Sequence, residues 1–187
     1  MTLAAPQTRY TPQDLLDHED GGLFELVDGQ LVEKKMGALA NKTVVIVSFH
    51  LFAFLRDSKL GELYSEQTYQ CFPIEPSLVR RPDLSFISAE RTSGVPNDGH
   101  CPIAPDLAIE VLSPNNTAYD LDRKLADYRS AAVKLTWVVN PEQRTVRIHR
   151  LDHTITELHE ADTLTGESAL PGFSIRVKEL FPPILTP

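Results

Sequence analysis

Three residues near the middle of the chain have the types and the order that divalent-metal phosphodiester hydrolysis requires. Asp83 follows Arg81-Pro82 at the mouth of one apolar run, Glu110 lies inside the next, Asp106-Leu-Ala-Ile-Glu110-Val-Leu-Ser-Pro114, and Lys124 falls on the helical pattern after it. Such hydrolysis needs hard oxygen ligands converging on the cation and a positive group near the attacking water or the developing negative charge. Asp83 and Glu110 supply carboxylate oxygens and Lys124 the positive group. The carbonyl of Val111 offers a third ligand, because a strand alternates its side chains while its carbonyls point sideways.

Each residue also has a structural reading. Ala108-Ile109-Glu110-Val111-Leu112 is otherwise a buried type of strand, where a lone carboxylate is costly unless paired or metal-bound. An ion pair with Lys124 or an arginine would account for Glu110 as well as a metal does. Pro82-Asp83 is also a common steric start to a strand or turn, and Lys124 taken alone is a solvated helix residue. Glu25, on a predicted hairpin strand, is a fourth candidate with an ordinary half-exposed alternative. Other chemistries find little footing: there is no Gly-x-Ser-x-Gly elbow, no Gly-rich phosphate loop ending in Lys-Ser/Thr and no Gly-x-Gly-x-x-Gly fingerprint. Cys101 and His100 are neighbours in a predicted loop, a poor geometry for a Cys-His pair. The six histidines show no metalloprotease spacing and read as surface or packing residues.

The elements that must position these groups are legible in outline. Thr11-Pro12 starts a short helix, and Phe24 to Glu33 reads as a hairpin turning at Asp28-Gly29. Apolar residues at Val44, Val47, Leu51, Phe54 and Leu55 predict an amphipathic helix from Leu39 to Arg56. Strands are expected at Glu62 to Phe72, Asp83 to Ile87 and Asp106 to Leu112, with the loop Ser93 to Pro105 between the last two. A helix over Thr117 to Ala131 places Asp120 and Lys124 one turn apart, a spacing that permits an ion pair. Strands then follow at 135 to 139, 145 to 151 and 154 to 158, and Pro171 to Val177 closes the chain as another short strand. Strands and helices in this order suggest a mixed sheet flanked by helices, an α/β arrangement.

At 187 residues and 42% hydrophobic content, the chain can build one well-filled core and is short for two. A single domain over 1–187, with its core at about 10–181, is the expectation. No run of eighteen apolar residues occurs, and the N-terminus Met1-Thr-Leu-Ala-Ala-Pro-Gln lacks signal-peptide features, so no membrane partner is expected. Two cysteines, Cys71 and Cys101, lie thirty residues apart with no Cys-x-x-Cys spacing. Neither a disulfide framework nor a zinc site is indicated, which fits a reducing, cytoplasmic setting. The net charge of -8 opposes tight nonspecific nucleic-acid binding, although a carboxylate-rich metal site carries negative charge until its cation arrives.

The ordered blocks Phe-Glu25-Leu-Val-Asp28-Gly-Gln-Leu, Arg81-Pro-Asp83-Leu-Ser-Phe, Pro-Asp-Leu-Ala-Ile-Glu110-Val-Leu-Ser-Pro, Asp120 to Lys124 with Tyr128, Trp137-Val-Val-Asn-Pro and Leu-Pro-Gly-Phe span about Tyr10 to Phe181. Together they resemble the Uma-two family, which is grouped with the restriction-endonuclease-like PD-(D/E)xK nucleases. The resemblance implies a restriction-endonuclease-like core, a mixed sheet between helices with extra β-hairpins, carrying a metal site. It matches Asp83 and Glu110 to metal-binding carboxylates, Lys124 to a helix-borne lysine and Glu25 to an acidic residue of the first hairpin. Most members of the wider superfamily carry the lysine two residues after the glutamate, where this chain has Leu112. The family's pattern moves that lysine to the following helix. Asn41 stands at a helix-start position where similar sequences often carry His.

The resemblance thus implies an Mg²⁺- or Mn²⁺-dependent endonuclease with double-stranded DNA as substrate. Restriction-type nucleases often work as homodimers, and the hairpin at 144 to 158 offers a pairing surface. Two alternatives stay open from the residues alone: a non-catalytic binding protein that keeps the fold, and a metal-dependent hydrolase of a smaller phosphate ester.

Overall fold

The structure, a computed structural model, describes residues 8–184; the reading of the N-terminal Met1 to Gln7 lies outside them. The chain opens with helix α1 (Pro12–Asp17), capped by Thr11 and Asp14 in a reciprocal capping box. Strands β1 (Phe24–Val27) and β2 (Gln30–Glu33) form an antiparallel hairpin. Its turn residues Asp28 and Gly29 both have positive φ, 53° and 75°, as the tight turns that suit strand twist require. Helix α2 (Ala38–Ser58) follows.

The main sheet contains β3 (Gly61–Ser65), β4 (Leu84–Ser88), β5 (Leu107–Val111), β6 (Leu135–Asn140), β7 (Thr145–Arg150) and β8 (Ile155–Leu158), in that spatial order. Only the β5–β6 pair is parallel. A parallel pair cannot be joined by a tight turn, so the chain crosses over through helix α3 (Ala118–Ser130). This crossover places α3 on the sheet face beside β5. Two short strands, β9 (Thr163–Thr165) and β10 (Ser174–Arg176), pair antiparallel near the end of the chain.

Strand alternation divides the core in two. Leu107, Ile109 and Val111 of β5 join Leu84, Phe86, Trp137 and Val139 in the larger cluster, against Val47, Leu51 and Leu55 of α2 and the C-terminal Leu170, Phe173 and Phe181. Ala108 of β5 and Ile87 of β4 face the other way, toward Tyr128 of α3, Tyr69 and Cys101. Glu110 shares the parity of Ala108 and is thereby sent to the α3 face. By length and composition α2 is long and apolar enough to cross a membrane. Here its Val47–Leu51–Leu55 stripe is buried on the sheet, whereas Val45, Phe49 and Phe52 are exposed.

Two expectations need correction. The strand predicted over Glu62 to Phe72 ends at Ser65, because Glu66 takes a left-handed conformation (φ 55°) that turns the chain out of the sheet. Beyond it Tyr69 only bridges Arg80 and Cys101. The closing strand is shorter than predicted, and its partner β9 was not anticipated, since Thr163-Leu164-Thr165 is too short to show a period.

Trp137 is fully buried and packs on Phe173, with ring centroids 5.8 Å apart. Trp137→Ala should destabilise by about 3–5 kcal/mol and lower Tm by on the order of 10 °C in a domain of this size. Thermal unfolding followed by circular dichroism checks this.

Candidate active site

The two central carboxylates meet through strand register. β4 and β5 run antiparallel with Leu84 opposite Ile109, so one step further sets Asp83 opposite Glu110 on the same face, where directly opposed residues lie close together. Asp83 is 1% exposed and Glu110 5%. Asp83 Oδ2 accepts the amide of Val111 at 2.6 Å, which fixes the carboxylate over the end of β5. The carbonyl of Val111 lies on the same side of its strand as that amide, the side of Asp83.

Glu25 reaches this pair because the first hairpin is stitched to the segment leading into β4. Leu26 and Val79 exchange backbone hydrogen bonds of 3.0 and 2.9 Å, and Glu25 Oε1 then accepts the amide of Arg81 at 2.8 Å. The crossover helix delivers the other groups. Lys124 Nζ lies 3.1 Å from both Glu110 Oε2 and Glu25 Oε1, and the Tyr128 hydroxyl donates to Glu110 Oε1 at 2.5 Å. Lys124 and Tyr128 are one turn apart on α3 and so reach the same carboxylate.

All four side chains expected at the site, Glu25, Asp83, Glu110 and Lys124, therefore come together beside the strand end that carries Val111. The permitted Asp120–Lys124 pair does not form: Asp120 bonds Thr117 at the helix start, while Lys124 turns inward. The ion pair of Glu110 with Lys124, its structural alternative, is present. Asn41 is an exposed residue within α2, whose N-cap is Gly37.

The structure adds residues the sequence did not single out. Lys34, just past β2, lies 2.5 Å from Asp83 Oδ1 and donates to the carbonyl of Arg81 at 2.7 Å. Arg80 spans Glu25 (2.9 Å) and Asp127 of α3 (2.6 Å). Tyr128 was visible within a block of the family resemblance but had no role assigned to it. Lys34 and Arg80 carried no signal beyond lying next to recognised blocks, since their partners are 32 or more residues away.

Within this cluster the carboxylates of Glu25, Asp83, Glu110 and Asp127 face the cations of Lys34, Arg80 and Lys124. One negative charge is left over. Burial pushes the Glu25 carboxyl up, but Lys124, Arg80 and Lys34 together outweigh it and hold it at about 2. Glu110 moves the other way: burial raises it, and the charges of Asp83 and Glu25 add to the effect against Lys124 and Lys34. Lys124 loses hydration on burial, yet Glu110, Glu25 and Asp83 keep its ammonium protonated, with its pKa above the ordinary lysine value.

Two carboxylates, a carbonyl and bound water are a sufficient oxygen set for a small hard cation. Asp83 Oδ1 is buried against the Lys34 ammonium at 2.5 Å, so a cation bound there would take the place that Lys34 holds. Among the described residues no group of three or more His, Cys, Asp and Glu side chains is gathered in metal-binding geometry. Any cation here would draw on Asp83, Glu110 and the backbone in competition with the Lys34, Lys124 and Tyr128 contacts those carboxylates already make, while Glu25 is bound by Arg80, Arg81 and Lys124. The cluster lies at a cavity of about 540 Å³, whose lining includes β1–β2, Asp83, the end of β5 and α3.

A mixed sheet between helices, with opposed carboxylates at the junction of two central strands and a helix-borne lysine beside them, places the chain in the restriction-endonuclease-like class. Residues 12–178 match the model of the Uma2 family, described as "Putative restriction endonuclease", and the chain belongs to that family. A solved structure from Anabaena variabilis ATCC 29413, described as "a putative nuclease belonging to DUF820", is similar in fold. It has a TM-score of 0.75 at 18% identity, covering 91% of this chain and 97% of that one. The curated proteins contain no match.

Two outcomes test the electrostatics. Arg80→Met leaves Glu25 and Asp127 without their shared cation and should cost about 3–5 kcal/mol in urea unfolding. The pH dependence follows from Glu25. Because its folded pKa of about 2 is below the ordinary 4.5, its contribution is fully present above 4.5 and lost as pH falls toward 2. Glu25→Gln should lack this component, on the order of 3 kcal/mol before the opposing protonation of Glu110 is counted. Urea unfolding of both proteins across that window measures it.

Proposed function

We propose that the chain is a metal-dependent endonuclease that hydrolyses phosphodiester bonds in DNA. The observation that carries this reading is the opposed, buried pair Asp83 and Glu110 at a cavity, with Lys34 and Lys124 standing alongside. Asp83, Glu110 and the Val111 carbonyl would hold Mg²⁺ or Mn²⁺. When bound, such an ion supplies charge neutralisation for the phosphate and lowers the pKa of water.

The chain's own groups provide the rest. The oxygen of a water forms a bond to phosphorus as the bond from phosphorus to the leaving sugar oxygen breaks. One proton leaves the water and one reaches the departing oxygen, giving a phosphate monoester and a free hydroxyl. Lys124, protonated and aimed into the cluster, stabilises the negative charge that builds on the phosphoryl oxygens. Glu25 positions that lysine through its 3.1 Å contact, itself anchored by Arg80 and the Arg81 amide. The Tyr128 hydroxyl directs Glu110 in the same manner.

The test is cleavage of supercoiled plasmid and single-stranded circular DNA at low salt with Mn²⁺ or Mg²⁺. Wild type should cut only with metal, and Asp83→Ala and Glu110→Ala should be inactive while retaining their circular dichroism spectra. Lys124→Met should reduce kcat by about 10²–10³-fold. A folded wild type that cuts nothing, or variants that cut as well as it does, would overturn the reading.

A further inference from the structure

We propose that the site takes an unpaired strand, so that the chain acts on single-stranded nucleic acid and not on the duplex that the family resemblance implies. This rests on the phosphodiester reading above and names the form of its substrate.

The first argument is access. The reacting carboxylates are almost wholly buried, at a recess of about 540 Å³, a size typical of pockets for small molecules at about 300–1,000 Å³. Its lining draws on the β1–β2 hairpin with Val27, Gln30 and Val32, and on Asn116 and Leu121 before and after the start of the crossover helix. A duplex presents its phosphates on the outside of a stiff cylinder whose persistence length is about 150 bp. It cannot easily press one phosphate down to carboxylates buried at such a recess. A strand free of its complement can bend into such a recess.

Charge supplies the second argument. Duplex binding relies on a run of lysines and arginines that displaces condensed counterions, because the duplex carries about one charge per 1.7 Å. The cations at this mouth are already engaged. Arg123 grips Asp28 through two bonds of 2.6 Å, and Lys35 pairs with Glu33 at 3.0 Å. Deeper in, Arg80 spans Glu25 and Asp127. Asp120 adds an exposed acid to the same lining. With a net charge of -8 over the chain, this rim can hold one or two phosphates and offers no extended cationic track.

The walls supply the third. Val27, Val32, Met36 and Leu121 are aliphatic, and Gln30 and Asn116 bring amides to the same cavity. Apolar plates with amide donors and acceptors suit the faces and Watson–Crick edge of an unstacked base, which a paired strand keeps hidden.

The deciding experiment compares Mn²⁺-dependent hydrolysis of a short oligonucleotide alone and annealed to its complement, with fluorescence anisotropy of both over a salt series. The single strand should be cut with a kcat/KM higher by on the order of 10- to 100-fold, the penalty that unpairing imposes on the duplex. Its binding should lose affinity with a log–log salt slope no steeper than about -1.4, the value for two phosphates on a single strand. Equal or faster cleavage of the duplex, or a steep salt slope, would overturn the inference and leave the endonuclease reading standing. Cleavage of neither by folded protein would overturn both.

Discussion

Asp83 and Glu110 face one another across antiparallel strands with almost no access to water. Two like charges so placed repel strongly and have each lost their hydration, so the fold is tenable only if cations arrive from elsewhere in the chain. Lys34 from the end of the first hairpin meets Asp83 and Lys124 from the crossover helix meets Glu110, while Arg80 from the segment before β4 neutralises the adjoining Glu25. The tertiary arrangement is in this sense built around one electrostatic problem. The hairpin has to be stitched to residues 78–81, and α3 has to cross the open face of β5, for the charges to be compensated.

This requirement joins stability to chemistry. The contacts that neutralise the carboxylates also fix their orientation, since every oxygen of Glu25 and Glu110 has a named partner and Asp83 is held between the Val111 amide and Lys34. Lys34 sits against Asp83 Oδ1 as a positive charge belonging to the protein itself. The cluster still keeps more carboxylates than cations, and that imbalance favours an added positive charge. Glu110 shows the same tension, raised by burial and by its acidic neighbours although two lysines lie within range.

The rim of the cavity follows a different logic from its floor. Its basic residues are matched by acids of the same rim, Arg123 by Asp28 and Lys35 by Glu33. Exposed pairs of this kind add little to stability, but they leave the mouth without a surplus of positive charge. Affinity for a polyanion must then come from the recess and from whatever cation joins Asp83 and Glu110, not from a broad electrostatic surface.

Local pattern was enough to read much of this molecule from its residues. The helices α1, α2 and α3, the Asp28-Gly29 hairpin and the strands carrying Asp83 and Glu110 were visible because capping, turn and alternation rules act within a few residues. So were the four candidate side chains, as types in an order. Where a strand had to stop was less visible, as at Glu66, where a single left-handed residue redirects the chain. β9 stayed hidden because three residues establish no period. What only the tertiary structure decided was which charges meet. Lys124 was free by pattern to pair with Asp120 on its own helix, yet it turns to Glu110 and Glu25. Lys34 and Arg80 entered the site although nothing but their place beside recognised blocks marks them in sequence. Their partners lie tens of residues away, and only strand register and the crossover bring them within reach. The types of residue and their order are written locally, whereas the balance of buried charge is a property of the closed fold.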